Sequence, residues 1–137
     1  MSISPIEWDS KYELGHSLID DDHQELFRFV SDFIDSVNNG ANYEVTKYTL
    51  YNAIRYANTH FEHEEQIMKR ALYPKLNAHK ELHETFKITI TKYAKEFINT
   101  RVDSEELSKY FHNWIVSHVL VHDKEFGEFI EKNKSFG

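Results

Sequence analysis

Apolar residues recur along this chain at the three-then-four spacing of helices that bury one face. Leu76, His79, His83, Phe86, Ile90, Tyr93 and Phe97 keep that spacing throughout, with histidine at two positions where leucine would ordinarily sit. Ile19, His23, Leu26, Val30, Phe33 and Val37 form another such seam, and Leu107, Phe111, Trp114 and His118 a third. A fourth, Leu50, Ile54, Ala57, Phe61, Glu64 and Met68, carries a glutamate one turn after His60. The first helix is predicted to start at Asp20-Asp21-Asp22, whose carboxylates suit the positive end of a helix, and to stop near Asn38-Asn39-Gly40. The second runs from about Tyr43 to Arg70, before Pro74, and the third from about Lys75 to Asn99. The fourth begins after Asp103 or Ser104 and reaches about Lys132. Long helices with short connections predict an all-α fold, an antiparallel up-down-up-down four-helix bundle over residues 19–132. Residues 1–18 hold no sustained period and read as an N-terminal arm that lays Trp8, Tyr12 and Leu14 on the bundle.

Composition narrows the class. The 137 residues are 40% hydrophobic and 28% charged, with four Gly and two Pro, as expected of one helical domain spanning 1–137. A net charge of −7 argues against a nucleic-acid binder, which would show a basic stripe. The chain has no Cys, which excludes disulfides, thiolate metal sites and cysteine-ligated iron–sulfur clusters. No secretory leader or membrane span is legible, so a cytoplasmic protein with no membrane insertion is expected.

The seam histidines carry the chemistry. A buried polar group costs free energy unless it is paired, so several converging on one core need a shared partner, and a metal centre is the simplest. Residues i and i+4 share a helix face, which pairs His60 with Glu64 and His79 with His83, while His23 stands singly. On the last helix the same rule pairs His118 with His122. Asp123 is five residues on, a rotation about 140° off the seam, and would need a local bulge to share it. Periodicity leaves that position open. Five or six imidazoles exceed the needs of one tetrahedral zinc, so a two-metal centre fits the count better. His16, His63 and His112 read as non-ligands, and the runs Asp20–Asp22 and Glu62–Glu65 as partly solvated faces.

The motifs IDDDH, HFEHEE followed by Met68 and Tyr73-Pro74, HKELH and HVLVHD stand in this order. Together they resemble the hemerythrin family, in particular its short bacterial members, over nearly the whole chain. The resemblance implies a di-iron centre in which His79, His83 and His118 hold one iron and His23 and His60 the other. Glu64, Asp123 and an oxo or hydroxo group would bridge the two irons. It selects Asp123 over His122. It implies reversible dioxygen binding on the two-imidazole iron, behind a wall of Leu26, Phe61, Trp114, Ile115, Val119 and Leu120. The role implied is oxygen storage, delivery or sensing by a non-enzyme, as a monomer, with an oxygen-consuming enzyme as a recipient. Competing readings are a di-iron oxidase or peroxidase, a nitric-oxide or iron-handling protein, and a zinc-holding structural bundle. The repeated Glu-x-x-His pattern of ferritin-like di-iron proteins is absent, since Glu13-x-x-His16 falls in the arm.

Overall fold

A computed structural model describes residues 3–100 and 104–133. Helices α1 (Ser17–Asn38), α2 (Tyr43–Arg70) and α3 (Leu76–Thr100) are followed by a longer, interrupted rod. That rod is α4 (Ser104–His118), a π-helical turn at Val119–Asp123, and α5 (Lys124–Asn133). Backbone angles remain helical on both sides of the π turn, at His118 and Lys124, so the rod is continuous. Each helix packs on its sequence neighbours and α4 closes against α1, the arrangement of an up-down-up-down bundle. The last rod is described from Ser104, as expected of a helix beginning after Asp103, which itself lies outside the described residues. No helix among the described residues is long and apolar enough to cross a membrane.

The first helix starts earlier than its acidic run suggests. His16 caps it, its Nδ1 accepting the Ile19 N–H at 3.4 Å. Asp20 instead turns back and accepts the N–H groups of Leu14 at 2.8 Å and Gly15 at 3.1 Å, fixing the end of the arm. Gly15 has φ +92°, a left-handed conformation that glycine adopts at no steric cost. The other boundaries follow the local signals. Asn42 caps α2 by accepting from Val45 N–H at 3.0 Å, and the chain leaves α2 through Leu72 in the left-handed region, φ 58°.

The arm lies along α1 and is held at both ends. Asn38 bonds the backbone of Ile3, and Ser31 Oγ both accepts the Ile6 N–H and donates to its carbonyl. Trp8 and Tyr12 meet Phe27 edge-on, with centroids 5.4 and 4.7 Å away. At its far end the arm crosses α5, where Lys124 Nζ donates to the Glu13 carbonyl at 2.8 Å. Gly127 permits that crossing, because a Cβ there would lie 2.9 Å from the Leu14 carbonyl oxygen.

Two apolar clusters fill the bundle. The larger includes Leu26, Phe33, Leu50, Phe61, Phe86, Phe111 and Ile115; the smaller gathers Ile19, Met68, Tyr73 and Phe126 at one end. In α1 the seam passes from Ile19 of the small cluster, through His23, to Leu26 of the large one; α2 passes from Phe61 through Glu64 to Met68. A polar layer is thus sandwiched between two apolar ones.

Candidate metal centre

Every seam sends one or more polar side chains into that layer. His23 comes from α1, His60 and Glu64 from α2, His79 and His83 from α3, His118 from the end of α4 and Asp123 from the π turn; all seven are buried. The π turn decides the position that periodicity left open. The Lys124 N–H reaches back to the Val119 carbonyl, the i→i+5 pattern that admits an extra residue per turn. Asp123 therefore lies one turn after His118, its Oδ1 3.2 Å from His118 Nε2. His122 falls beside the layer, half-buried, its ring 6.5 Å from that of His79.

The seven residues form two overlapping groups whose ligand-type atoms all lie within 4.8 Å of one another. One is Glu64, His79, His83, His118 and Asp123; the other is His23, His60, Glu64 and Asp123. The two carboxylates belong to both. Glu64 has Oε1 2.8 Å from His79 Nε2 and Oε2 3.1 Å from His60 Nε2. Asp123 has Oδ1 3.0 Å from His79 Nε2 and Oδ2 3.0 Å from His23 Nε2.

Of these contacts only that of Glu64 Oε1 with His79 has hydrogen-bond geometry. His23 Nε2, Glu64 Oε2 and both Asp123 oxygens are buried with no contact of hydrogen-bond geometry, despite the short distances. Elsewhere imidazole meets imidazole, His118 Nε2 lying 3.1 Å from His83 Nε2 and 3.2 Å from His79 Nε2. Buried polar atoms are rarely left this way. So many ligand-type atoms crowded together, several of them unpaired, are the donor set of a metal site. Imidazole nitrogen and carboxylate oxygen together suit a borderline metal such as iron, and the residues fit such a pair.

The electrostatics without a cation show how strongly the layer calls for positive charge. Burial resists ionisation of Glu64 and Asp123. In Glu64 the charge on His60 and the close imidazoles of His23, His60 and His79 outweigh burial and hold the carboxyl well below its ordinary range. In Asp123 the Glu64 charge opposes ionisation as well, yet the imidazoles of His118 and His23 lower its pKa too. Burial likewise opposes protonation of His60, but Glu64 and Asp22 raise it to about 10; His79 rises to about 9 through Asp123 and Glu64. His23 also rises, whereas burial carries His118 down.

Two residues outside the seams complete the layer. Asp22 Oδ2 lies 3.3 Å from His60 Nδ1 and 3.0 Å from the exposed His63, and Tyr56 donates to Oδ1 at 3.2 Å. Burial opposes its charge, but the bonds from His60 and His63 hold Asp22 down to about 2. Glu65 Oε2 lies 2.7 Å from His83 Nδ1. The acidic runs are thus not simply solvated faces: the Asp22 and Glu65 side chains are only 21% and 22% exposed. Each stands one residue from a seam position, turned about 100° from it, so spacing along a single helix gave no sign of it.

The six expected wall residues are distributed unevenly. Leu26, Phe61, Ile115 and Val119 are buried in the main core, and Trp114 and Leu120 pack against it partly exposed. The ring contacts fall mainly on the three-imidazole side: Phe61 stacks on His83 at 4.0 Å and Trp114 on His118 at 4.4 Å. On the other side Phe61 approaches His60 at 6.1 Å.

Comparison with known proteins agrees with this geometry. The family model described as the hemerythrin HHE cation binding domain matches residues 14–130. A myohemerythrin of Theromyzon tessulatum is 30% identical over 115 residues, covering 84% of this chain and 85% of its own. A bacteriohemerythrin of Clostridium acetobutylicum is 29% identical over 126 residues, covering 87% and 96%. A wild-type hemerythrin crystal structure superposes with a TM-score of 0.82 over 90% of this chain and 95% of that one; at 24% identity it speaks for the fold. The chain belongs to the hemerythrin family, a family of metal-binding, oxygen-binding helical bundles.

Proposed function

We propose that this chain, as a single domain over 1–137, binds dioxygen reversibly at a non-haem di-iron centre and serves oxygen storage, delivery or sensing. His79, His83 and His118 would hold one iron and His23 and His60 the other. Glu64 and Asp123, with an oxo or hydroxo group, would bridge them. Two ferrous ions held there would supply the pair of electrons that reversible dioxygen binding needs. The observation that carries the reading is the sharing of two buried carboxylates by two histidine groups of three and two. With that inequality the iron held by His23 and His60 would have fewer protein ligands and could take a small molecule.

The chain's own residues do the rest. Asp22 and Glu65 accept from the Nδ1 positions of His60 and His83, which turns the Nε2 atoms of both rings inward. Leu26, Phe61, Trp114, Ile115, Val119 and Leu120 keep water from the layer, and a hydrophobic shell of this kind restrains loss of electrons from a reduced metal site. Five imidazoles against two carboxylates stabilise high-valent iron poorly, which favours binding over oxygen activation. The test is to reduce the iron-loaded protein anaerobically, admit air and then remove oxygen while recording the visible spectrum. A charge-transfer band that appears and disappears reversibly is expected. Immediate irreversible conversion to the ferric form, or about one zinc per chain on metal analysis, would overturn the reading.

A further inference from the structure

His122 stands where periodicity puts a seam residue, four positions after His118, yet it lies beside the metal layer and Asp123 lies in it. The two side chains compete for one place. The π turn brings residue 123 to the point that residue 122 would reach in a regular helix. In a regular rod, each residue from 122 onward would therefore take the place that its successor holds now. α4 is not free to shift instead, because Leu107, Phe111 and Ile115 are buried in the main core.

The seat of α5 opposes the regular register at three points. Glu125 would take the place of Phe126, which is fully buried in the small cluster with Ile19, Met68 and Tyr73. Its carboxylate now accepts from Tyr73 and Lys75, and burying it without those partners would be costly. Phe126 would take the place of Gly127, where even a Cβ would lie 2.9 Å from the Leu14 carbonyl oxygen. Asp123 would take the place of Lys124, whose Nζ donates to the Glu13 carbonyl at 2.8 Å, and would set a carboxylate against that oxygen. Two of the three points belong to the arm. The arm is itself fixed there, because Asp20 holds the Leu14 and Gly15 N–H groups and the short turn at Ser10–Tyr12 lies against the π turn.

We infer that the last rod has two registers, and that the arm and the Phe126-Gly127 pair select the one in which Asp123, not His122, enters the metal layer. The inference rests on the di-iron reading only for what the selected side chain does there: the π register supplies a second shared carboxylate, the regular register another imidazole. Leu14, Lys124 and Gly127 are thus positioning residues for Asp123, although none of them lies in the layer.

The experiment moves the seat by one residue in the full chain. Glu125→Phe, Phe126→Gly and Gly127→Glu together shift the Phe-Gly pair one place, so that a regular rod fits the arm and the small cluster. The metal-free readout is a cross-link, since the chain has no cysteine of its own. A Cβ at Gly127 would lie 3.2 Å from Leu14 Cβ, near the span of a disulfide. In the parent, Leu14→Cys should oxidise with Gly127→Cys about ten-fold faster than with Phe126→Cys, and in the shifted chain the order should reverse. The second readout is ferrous iron bound per chain without oxygen. The parent should hold two irons, with or without His122→Asp. The shifted chain should hold fewer, and His122→Asp should restore the pair by placing a carboxylate where Asp123 stood. If the shifted chain does not fold, closing the disulfide between Leu14→Cys and Phe126→Cys imposes the regular register on the parent sequence. Iron should then fall below two per chain and return when the disulfide is reduced. A folded shifted chain that keeps the parent's cross-link order, a failure of His122→Asp to restore the pair, or two irons held with that disulfide closed would overturn the inference. A parent that takes up no iron pair refutes the dioxygen reading, and the cross-links, read without metal, then decide the register.

Discussion

Deleting Val121 should leave the metal centre intact. Val121 is 58% exposed and lies within the π turn between His118 and Asp123. In a regular α-helix five residues turn through about 500°, leaving Asp123 about 140° from His118, whereas four turn through about 400° and leave it about 40° away. A carboxylate carried about 5 Å from the helix axis moves about 8 Å when the helix rotates by that 100° difference. Such a shift would take Asp123 out of reach of His23 and His79, both now 3.0 Å away. The π turn absorbs the extra residue and cancels the rotation. With Val121 gone the rod can become regular, the aspartate keeps its place, and α5 keeps Phe126 buried and Gly127 under the arm. The variant should bind two irons per chain, with a melting temperature within about 3 °C of the parent, equivalent to about 1 kcal/mol for a chain of this size. Deletion of the exposed Asn113, where no π turn can absorb the change, should rotate His118 by about 100° against the rest of α4 and abolish iron binding. A Val121 deletion that is fully helical by circular dichroism yet holds less than one iron per chain would show that the π turn is not what positions Asp123.

Four further outcomes follow from other parts of the structure. Gly127→Ala should destabilise the fold by about 1–2 kcal/mol in denaturant titration, because overpacking against the Leu14 carbonyl, 2.9 Å away, outweighs the gain in helix propensity; unchanged or higher stability would mean the arm does not pack as described. Asp22→Asn should weaken one of the two irons about ten-fold or more in chelator competition by loosening His60, while Glu25→Gln, in an exposed pair with Arg28, should not. Leu72→Gly should raise stability by about 0.5 kcal/mol, because the residue is 84% exposed and held at φ 58°, where a side chain is strained. Stripping the irons under anaerobic, reducing conditions should lower stability by about 4 kcal/mol if the metal was present at about a thousand times its dissociation constant, and a melting curve that chelation leaves in place would argue against a bound pair.

The bundle was legible because each helix writes its buried face into the sequence as a three-four repeat. The second helix begins at Tyr43 and ends at Arg70 where capping by Asn42 and the break before Pro74 place it. The start of the first helix was not legible, because an aspartate satisfies backbone N–H groups equally well from within a helix as from its end. Asp20 serves the arm that precedes it, and His16 takes the cap. The π turn was foreshadowed only as a conflict, a five-residue interval where four was required. Resolving it needed either the family resemblance, which named Asp123, or the backbone, which supplied the mechanism. Asp22 and Glu65 were hidden for a different reason. Their partners, His60 and His83, are on neighbouring helices, and the spacing of residues within one helix carries no information about what a neighbour presents.

Those two carboxylates also give the layer its asymmetry. Asp22 of α1 reaches His60 of α2, and Glu65 of α2 reaches His83 of α3, so successive helices are tied across the layer by a bond to a ring's outer nitrogen. The tie stops there. His118 of α4 has no partner at Nδ1, nor has His23 of α1, and the last rod joins the layer through the inner nitrogen of His118 and through Asp123. At His118 the ring of Trp114, stacked at 4.4 Å, takes the place that a carboxylate holds at His60 and His83. The two inner helices are therefore tied across the layer by bonds to their ring nitrogens, while α1 and α4 hold His23 and His118 by packing and by the contacts of Nε2.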